Sequence, residues 1–431
     1  MTPNNSRSAL AGMLQASDLN RRLLFTLLML VAFRLGAHIP VPGVNASVIQ
    51  SLFRFGGTIF ALLNLFSGGA TATLSVFALG IVPYIDASII MQLMTVVIPQ
   101  VEEWSKEGEQ GQKKITTWTR WLALILGALQ SLGVAFYLYN YSYHGLYAYQ
   151  HHTIGMLLLT ALFLTTGSIV MMWVGEQITD KGIGNGISLL VFFGIIARLP
   201  YGLEQLGSYV SAGVISWFKL VVFLLVALVI IAGVVYVNEG QRNVAVQYPK
   251  RVVGRRMYQG GTTHLPIRVN MAGVIPVIFA ISLLILPYTV AQFVKGSWIT
   301  FLDQYFGFTS PAYIILEFLL VVAFTFFYAD VVFKVDDIAD DLKKAGGYIP
   351  GIRPGKPTAE YLSRVAGRLT FIGAIFLGIV SVLPSFVTMA MGINGLYFGG
   401  TSLLIVVGVA LDTLKQMQAH LLMKQYQGFM K

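Results

Sequence analysis

Long apolar stretches alternate with short polar ones along the chain, and this pattern predicts a series of membrane-spanning helices. Runs of roughly 20 apolar residues, the length that crosses a bilayer as an α-helix, recur from one end to the other. Their approximate positions are 19–39, 70–99, 115–139, 153–174, 183–200, 214–237, 270–293, 312–333, 365–391 and 394–414. The pattern therefore predicts an all-α polytopic membrane protein with ten transmembrane helices.

The predicted spans divide evenly into two halves. Residues 1–205 contain spans 1–5, and residues 206–431 contain spans 6–10 together with two long polar loops, 239–268 and 334–368. Because each half has an odd number of spans, the halves would insert in opposite orientations, as inverted repeats do. We therefore predict two pseudo-symmetric inverted halves of five helices with a pathway between them.

Basic residues lie almost entirely on one side of this topology. All but five of the 29 lysines and arginines fall in the two tails and in the loops on the same side. The five exceptions are Arg34, Arg54, Arg198, Lys219 and Lys295. The positive-inside rule therefore predicts that both termini and both long loops are cytoplasmic. Topology alone would explain the charges, but the length of the loops favours docking of an acidic or large partner.

Composition excludes several classes of protein. The chain is 56% hydrophobic and 11% charged, and it contains no cysteine, so disulfides and thiolate chemistry are excluded. No small-residue cleavage site follows the first apolar run, which we interpret as a retained span. The six histidines form no metal-ligand frame, and no P-loop or dinucleotide fingerprint is present. We therefore expect neither an enzyme nor a bound cofactor.

One apolar segment is too short to cross a bilayer. Its core runs from Thr58 to Phe66, with glycine pairs at 56–57 and 68–69 that permit sharp turns. This fits a short re-entrant helix at about residues 55–67, and a surface amphipathic helix fits the spacing equally well. The core residues are Thr58, Ile59, Phe60, Ala61, Leu62, Leu63, Asn64, Leu65 and Phe66.

Few acidic residues lie within the predicted spans. Asp86 lies in the second span and Glu317 in the eighth. An ionised carboxylate at the bilayer centre costs about 2.5–3.5 kcal/mol on insertion scales. Asp86 could couple proton or sodium movement, or it could face water or accept a hydrogen bond from another helix. The second interpretation is favoured because no relay of acidic residues and histidines accompanies Asp86.

Five motifs, in this order, resemble the bacterial SecY family, which forms the channel subunit of the Sec protein translocon. They are FALGIVPYIDASIIMQLMTVVIPQ, GIGNGISLLVF, RRMYQGGTTHLPIRVNMAGVIPVIFA, GGYIPGIRPGKPT and LYFGGTSLLIVVGVALD. The resemblance covers nearly the whole chain, from Asp18 to about Gln425. It implies a protein-conducting channel for signal-bearing unfolded polypeptides, with a lateral gate that releases membrane segments into lipid.

The resemblance also implies roles for particular residues. The short segment Thr58–Phe66 becomes a plug, and a ring of aliphatic side chains constricts the pore. The ring residues are Ile81, Ile85, Ile187, Val191, Ile278 and Ile405. Without the resemblance, the pairs Ile81/Ile85 and Ile187/Val191 would be interpreted as ordinary helix packing. The family usually has isoleucine where this chain has Val191. Asp86, Gln92 and Gln130 are assigned to the lateral gate, and Asp86 replaces the small hydroxylic residue that the family pattern leads us to expect.

Partners and location follow from the same resemblance. The implied partners are the membrane subunits SecE and SecG, the motor ATPase SecA, the ribosome, signal sequences and preproteins, and the lipid bilayer. Arg255, Arg256, Arg353 and Lys356 are expected to dock SecA or ribosomal RNA. The expected location is the bacterial plasma (inner) membrane. The alternative function is an inverted-repeat secondary transporter.

Overall fold

The computed structural model describes residues 17–45, 48–49, 52, 64, 67–143, 146–213, 215–248, 251–253, 256–258, 261–291, 310–391 and 400–429. The helices within them are α1 Ser17–Gly36, α2 Val82–Val97, α3 Pro99–Lys106, α4 Glu109–Asn140, α5 Ile154–Lys181, α6 Gly186–Ser211, α7 Trp217–Glu239, α8 Ile275–Ala291, α9 Pro311–Val332, α10 Val335–Lys344, α11 Lys356–Met391 and α12 Gly400–Phe429. The strands are β1 Ser142–Tyr143, β2 Leu146–Tyr147, β3 Gln241–Gln247, β4 Arg251–Val253, β5 Arg256–Tyr258 and β6 Thr262–Arg268.

The molecule is a helical membrane protein with three small antiparallel sheets, which pair β1 with β2, β3 with β6 and β4 with β5. Each of the ten predicted spans contains a helix. Among the described residues, six helices are long and apolar enough to cross a membrane, and α2 with α3, bent by 99°, would make a seventh. The total of ten spans therefore stays a prediction.

The helices pack as two groups that meet along two edges. Helices α1, α2, α4, α5 and α6 pack against one another, as do α7, α8, α9, α11 and α12. The main contacts between the groups are α6 with α12 on one edge, and α8 with α2 and α4 on the other. The predicted boundary at residue 205 falls inside α6, because this helix continues through Pro200 to Ser211.

The first part of the predicted second span, residues 70–99, is not helical. Residues 67–81 form successive turns, and α2 begins only at Val82, with a proline in its first turn. Buried hydroxyl groups bond to the backbone of this segment: the Ser67 Oγ accepts from the Thr71 amide, and the Thr71 hydroxyl donates to the Ala78 carbonyl at 2.6 Å. Irregular backbone at membrane depth is tolerated only where protein surrounds it, and these residues are largely buried.

The two long polar loops fold together as one unit, which we call the hairpin unit: β3 to β6, α10, and the chain from 345 to the start of α11. The second loop is therefore not irregular throughout, since α10 and the first turns of α11 lie within residues 334–368. Gln247 of β3 exchanges two backbone hydrogen bonds with Tyr348, of 2.8 and 2.9 Å. Val246, Ile349 and Leu362 share a buried apolar cluster that joins the two loops.

Candidate functional site

The six predicted ring residues share the largest apolar cluster within the described residues. Five of the six are buried, and Ile187 packs against them half-buried; the buried five are Ile81, Ile85, Val191, Ile278 and Ile405. They come from α2, α6, α8 and α12 and from the turn before α2, so both groups of helices contribute. The cluster contains many other side chains, and the ring itself stays a prediction within it.

Local backbone chemistry positions Ile187 and Val191. Asn185 caps α6, since its side-chain oxygen accepts from the amides of Ile187 and Ser188 at 3.1 Å each. Gly186 has no space for a side chain, because a Cβ there would overlap the carbonyl of Gly175 in α5. The first turn of α6 is thereby held against α5.

Gly175, the glycine of α5 that Gly186 contacts, also lies beside the side chains of Ile81 and Ile187. A Cβ added at Gly175 would lie 3.3 Å from Ile81 Cδ1 and 3.5 Å from Ile187 Cγ1, so both side chains cover this glycine. Ile81 is the residue immediately before α2, and Ile278 lies in the first turn of α8. Aliphatic side chains from helix starts therefore converge on the interior.

The three predicted gate residues do not form one group. Gln130 of α4 donates its amide to Asp86 Oδ2 of α2 at 2.8 Å, and both side chains are buried. This contact lies within the first group of helices and corresponds to the hydrogen-bonded alternative for Asp86. Among the described residues, Asp86 Oδ1 and Gln92 Oε1 are buried without a hydrogen-bond partner. Gln92 instead lines a polar cleft.

That cleft, which we call the polar cleft, has a volume of about 1450 Å³ and is lined by both groups of helices. The exposed pair Glu102–Lys106 of α3, at 2.6 Å, faces Lys334 and Asp337 at the start of α10 across the cleft. The hydrogen bond and charge of Lys106 lower the pKa of the Glu102 carboxyl, and Lys334 contributes further. Charges of both signs thus meet where the two groups approach one another.

Of the predicted docking residues, Arg353 and Lys356 are exposed in the hairpin unit, and Lys356 also lines the polar cleft. The Arg353 carbonyl accepts from the Thr358 hydroxyl at 2.8 Å, which ties the loop to the start of α11. The backbone of Arg256 lies in β5, but its side chain is not among the described parts of the structure. Arg255 lies outside the described residues altogether.

Most of the predicted plug also lies outside the described residues, and only Asn64 can be placed. Asn64 is buried, and its side-chain oxygen accepts from the Ala72 amide at 3.1 Å. Beside it, Arg34 of α1 donates to the Gly68 carbonyl at 2.8 Å, and Gly68 (φ +65°) lies directly against Gly194 of α6. The segment after the predicted plug is therefore fastened to both α1 and α6.

Sequence reasoning missed the roles of Asn185 and Arg34. The order Asn-Gly-Ile-Ser before an apolar run is a helix-start signal, so Asn185 could have been found as a cap. No sequence signal connects Arg34 to the carbonyl of Gly68, because the two lie 34 residues apart and the acceptor is backbone.

Comparison with known proteins agrees with this architecture. The SecY family model matches residues 75–414. The chain is 45% identical to the "Protein translocase subunit SecY" of Mycobacterium tuberculosis over 98% of this chain and 100% of that protein. It is 42% identical to the protein of the same description from Aquifex aeolicus, over 98% and 99%.

Solved structures share the fold at low identity. A chain from "The structure of a protein conducting channel" aligns with a TM-score of 0.63 and 18% identity, over 93% of this chain and 92% of that chain. A chain from "Sec61 in the Canine ribosome-channel complex from the endoplasmic reticulum" aligns with a TM-score of 0.60 and 17% identity, over the same shares. From the family model and the near full-length relatives together, the chain belongs to the SecY family.

Proposed function

We propose that the chain is a protein-conducting channel that translocates signal-bearing unfolded polypeptides across the bacterial plasma membrane and releases membrane segments sideways into lipid. One observation carries this proposal: an apolar cluster to which both groups of helices contribute contains five of the six predicted ring residues, and the sixth, Ile187, packs against it. We therefore expect a path between the groups to pass through it. The description of the relatives as protein translocase subunits supports the same function.

The ring works by excluding water in this proposal. Branched aliphatic side chains offer water no hydrogen bonds, so a narrow ring of them closes by dewetting. The same side chains yield around a moving polypeptide and have no preference for its chemistry. This suits a substrate that is recognised by its signal and not by its overall composition.

The lateral gate is assigned to the edge where α8 meets α2 and α4. Asp86 and Gln92 belong to α2 and Gln130 to α4, the two helices that contact α8 at this edge, and Gln92 also lines the polar cleft. The opposite edge, α6 against α12, is the hinge. The plug, Thr58–Phe66, is assigned to the side away from the hairpin unit, and its following turns are fastened by Arg34.

The hairpin unit is the docking platform in this proposal, and its side of the membrane is cytoplasmic, with both termini. Its exposed basic residues Arg353 and Lys356 would contact acidic surface on SecA or ribosomal RNA phosphates. SecE and SecG are the proposed membrane partners. The energy for transport then comes from the motor or from translation.

The test is reconstitution of the chain with SecE, SecG and SecA in vesicles, scoring ATP-dependent import of a preprotein. Ile278→Asn introduces a hydrogen-bonding group into the ring, so we expect greater ion leak and import of preproteins with defective signals. Ile349→Asn is the matched control, because Ile349 is equally buried (5% exposed, as is Ile278) but belongs to the hairpin unit.

Absence of import by the unsubstituted chain would refute the channel. Equal leak from the two variants would instead remove Ile278 from the ring. The alternative, a secondary transporter, predicts stoichiometric binding of a small solute by the chain alone. The same vesicles test it through solute uptake without SecA.

A further inference from the structure

A six-residue segment, which we call the joint, connects the hairpin unit to α8. The joint consists of residues 269–274; it follows β6, which ends at Arg268, and it precedes α8, which begins at Ile275. The amide of Ile278, a predicted ring residue, donates to the carbonyl of Val274 at 3.3 Å. The joint therefore continues directly into the first turn of α8, and its placement sets the placement of Ile278.

Close backbone contacts hold the joint against the second group of helices. The Val269 amide donates to the carbonyl of Gly240, at the end of α7, at 2.9 Å. A Cβ at Gly373 of α11 would lie 2.6 Å from the Val269 carbonyl oxygen, and a Cβ at Gly408 of α12 would lie 2.9 Å from Val274 Cγ2. Neither approach leaves room for a side chain. The two ends of the joint are thus packed against α7, α11 and α12.

The side chain of Asn270 fastens the middle of the joint. It is 6% exposed, and its Nδ2 donates to Asn238 Oδ1 of α7 at 2.7 Å and to the Gly273 carbonyl at 3.1 Å. Its Oδ1 is buried and has no hydrogen-bond partner within the described residues. Because a carbonyl oxygen can only accept, the contact with Gly273 requires a donor at residue 270. Asn270 therefore acts as a donor to two oxygen atoms.

Two charged residues of α12 support these contacts. Lys415 donates to the backbone carbonyl of Asn238 at 3.1 Å, which braces the end of α7. Asp412 approaches Gly273, where a Cβ would lie 3.5 Å from Asp412 Oδ2. A carboxylate near the start of a helix is favourable, because the helix N-terminus carries partial positive charge. Both neighbours of the Asn270 side chain are thus held from α12.

We propose that Asn270 is a positioning residue, whose two hydrogen bonds hold the start of α8 to the second group of helices and so hold Ile278 in the closed ring. Since the ring belongs to the proposed channel, this role rests on that proposed function. The contacts of the joint come from α7, α11 and α12, whereas α8 itself also contacts α2 and α4 of the first group. Loss of the donor at residue 270 loosens the start of α8 without touching the ring side chains.

The direction of the hydrogen bond gives a sharp test, because both of its partners are asparagines. Asn238→Asp keeps the acceptor and adds a negative charge close to Lys415, so the contact survives. Asn270→Asp replaces the donor with a carboxylate oxygen, which faces the Gly273 carbonyl and is repelled by it. The same substitution should therefore be tolerated at residue 238 and harmful at residue 270. A general need for polar side chains would make the two variants equivalent.

The first measurement is ion conductance, together with import of a signal-defective preprotein, by the chain reconstituted with SecE, SecG and SecA. Asn270→Asp and Asn270→Leu should each shift the closed–open balance about ten-fold toward open, the size expected when one buried hydrogen bond is lost. Asn238→Asp should stay close to the unsubstituted chain. Thr160→Val is the buried control, because Thr160 of α5 is fully buried and its hydroxyl oxygen has no partner within the described residues.

The second measurement is hydrogen exchange of the backbone amides of residues 275–280, which needs no transport. Exchange should be faster in Asn270→Asp and unchanged in Asn238→Asp. Equal effects of the two aspartate variants, or conductance unchanged in Asn270→Asp, would overturn the proposal. The aspartate pair decides the question even where Asn270→Leu does not fold. Failure of the unsubstituted chain to import would refute the channel, whereas faster exchange in Asn270→Asp alone would still support the hold of Asn270 on α8.

Discussion

The buried pair Asp86–Gln130 gives the sharpest test of how α2 and α4 are held together. The two side chains are 2% and 6% exposed, and their contact is 2.8 Å. Gln130→Leu removes the donor and leaves the carboxyl group without a partner among the described residues. Removing one member of a buried charged contact costs about 3–5 kcal/mol when the carboxyl is ionised. A neutral carboxyl left unsatisfied costs about 1–3 kcal/mol.

The control is Gln92→Leu, which replaces a glutamine of the neighbouring helix α2 by leucine. Gln92 Oε1 is already buried without a partner in the described structure, so Gln92→Leu removes an unsatisfied atom. It should be neutral or stabilising. The double variant Asp86→Leu/Gln130→Leu removes both polar groups, and we expect it to recover most of the stability that Gln130→Leu loses.

The assay is reversible unfolding in mixed detergent micelles. The free energy of unfolding is measured for the unsubstituted chain, Asp86→Leu, Gln130→Leu and the double variant. We expect a coupling energy of about 2 kcal/mol, within the range for residues in contact. Additive effects, or a cost for Gln130→Leu no larger than that for Gln92→Leu, would show that the pair does not stabilise the contact between α2 and α4.

Three further predictions concern the helix contact, the plug and the docking platform. Gly186→Val should force α5 and α6 apart, because its Cβ overlaps the Gly175 carbonyl; thermal denaturation should show a cost of about 1–3 kcal/mol, typical of overpacking. Deletion of Thr58–Phe66 should preserve folding but raise ion conductance in planar bilayers, and unchanged conductance would favour the surface helix. Arg353→Glu should reduce SecA-driven import sharply, because loss of a close charged contact costs about 2–5 kcal/mol of binding free energy. Arg353→Gln should reduce import less, and Lys344→Glu should reduce it little. Normal import by Arg353→Glu would leave Arg353 as a topology residue.

Hydrophobic pattern predicted where helices lie, because a lipid solvent requires long apolar helices and leaves little alternative. It placed the start of the second span too early. Residues 70–81 are apolar enough for a helix, but Ser67 and Thr71 satisfy the backbone in turns, and Pro83 favours a helix start at Val82. Hydroxyl groups that fold back on their own backbone leave almost no trace in a hydropathy pattern.

The polar loops were predicted as charged loops, and their folded form was missed. Alternation in residues 241–247 is a strand signal, yet the pairing of Gln247 with Tyr348 joins residues 101 apart. The candidate site likewise depends on contacts between residues that are distant in the sequence. Ile187 and Val191 share a helix face by spacing alone, but their place in one apolar cluster with Ile278 and Ile405 depends on how the three helices α6, α8 and α12 pack, which no local pattern specifies.

Because the two groups of helices meet along two edges, the stability of each group and the resistance of the two groups to separation can change independently. Packing within each group holds that group together, whereas in the proposed channel the contacts of α8 with α2 and α4 oppose separation of the two groups. A substitution on that edge can therefore alter the threshold for opening while the interior of each group keeps its stability. In the proposed channel, a few side chains along one edge would then set the stringency of export.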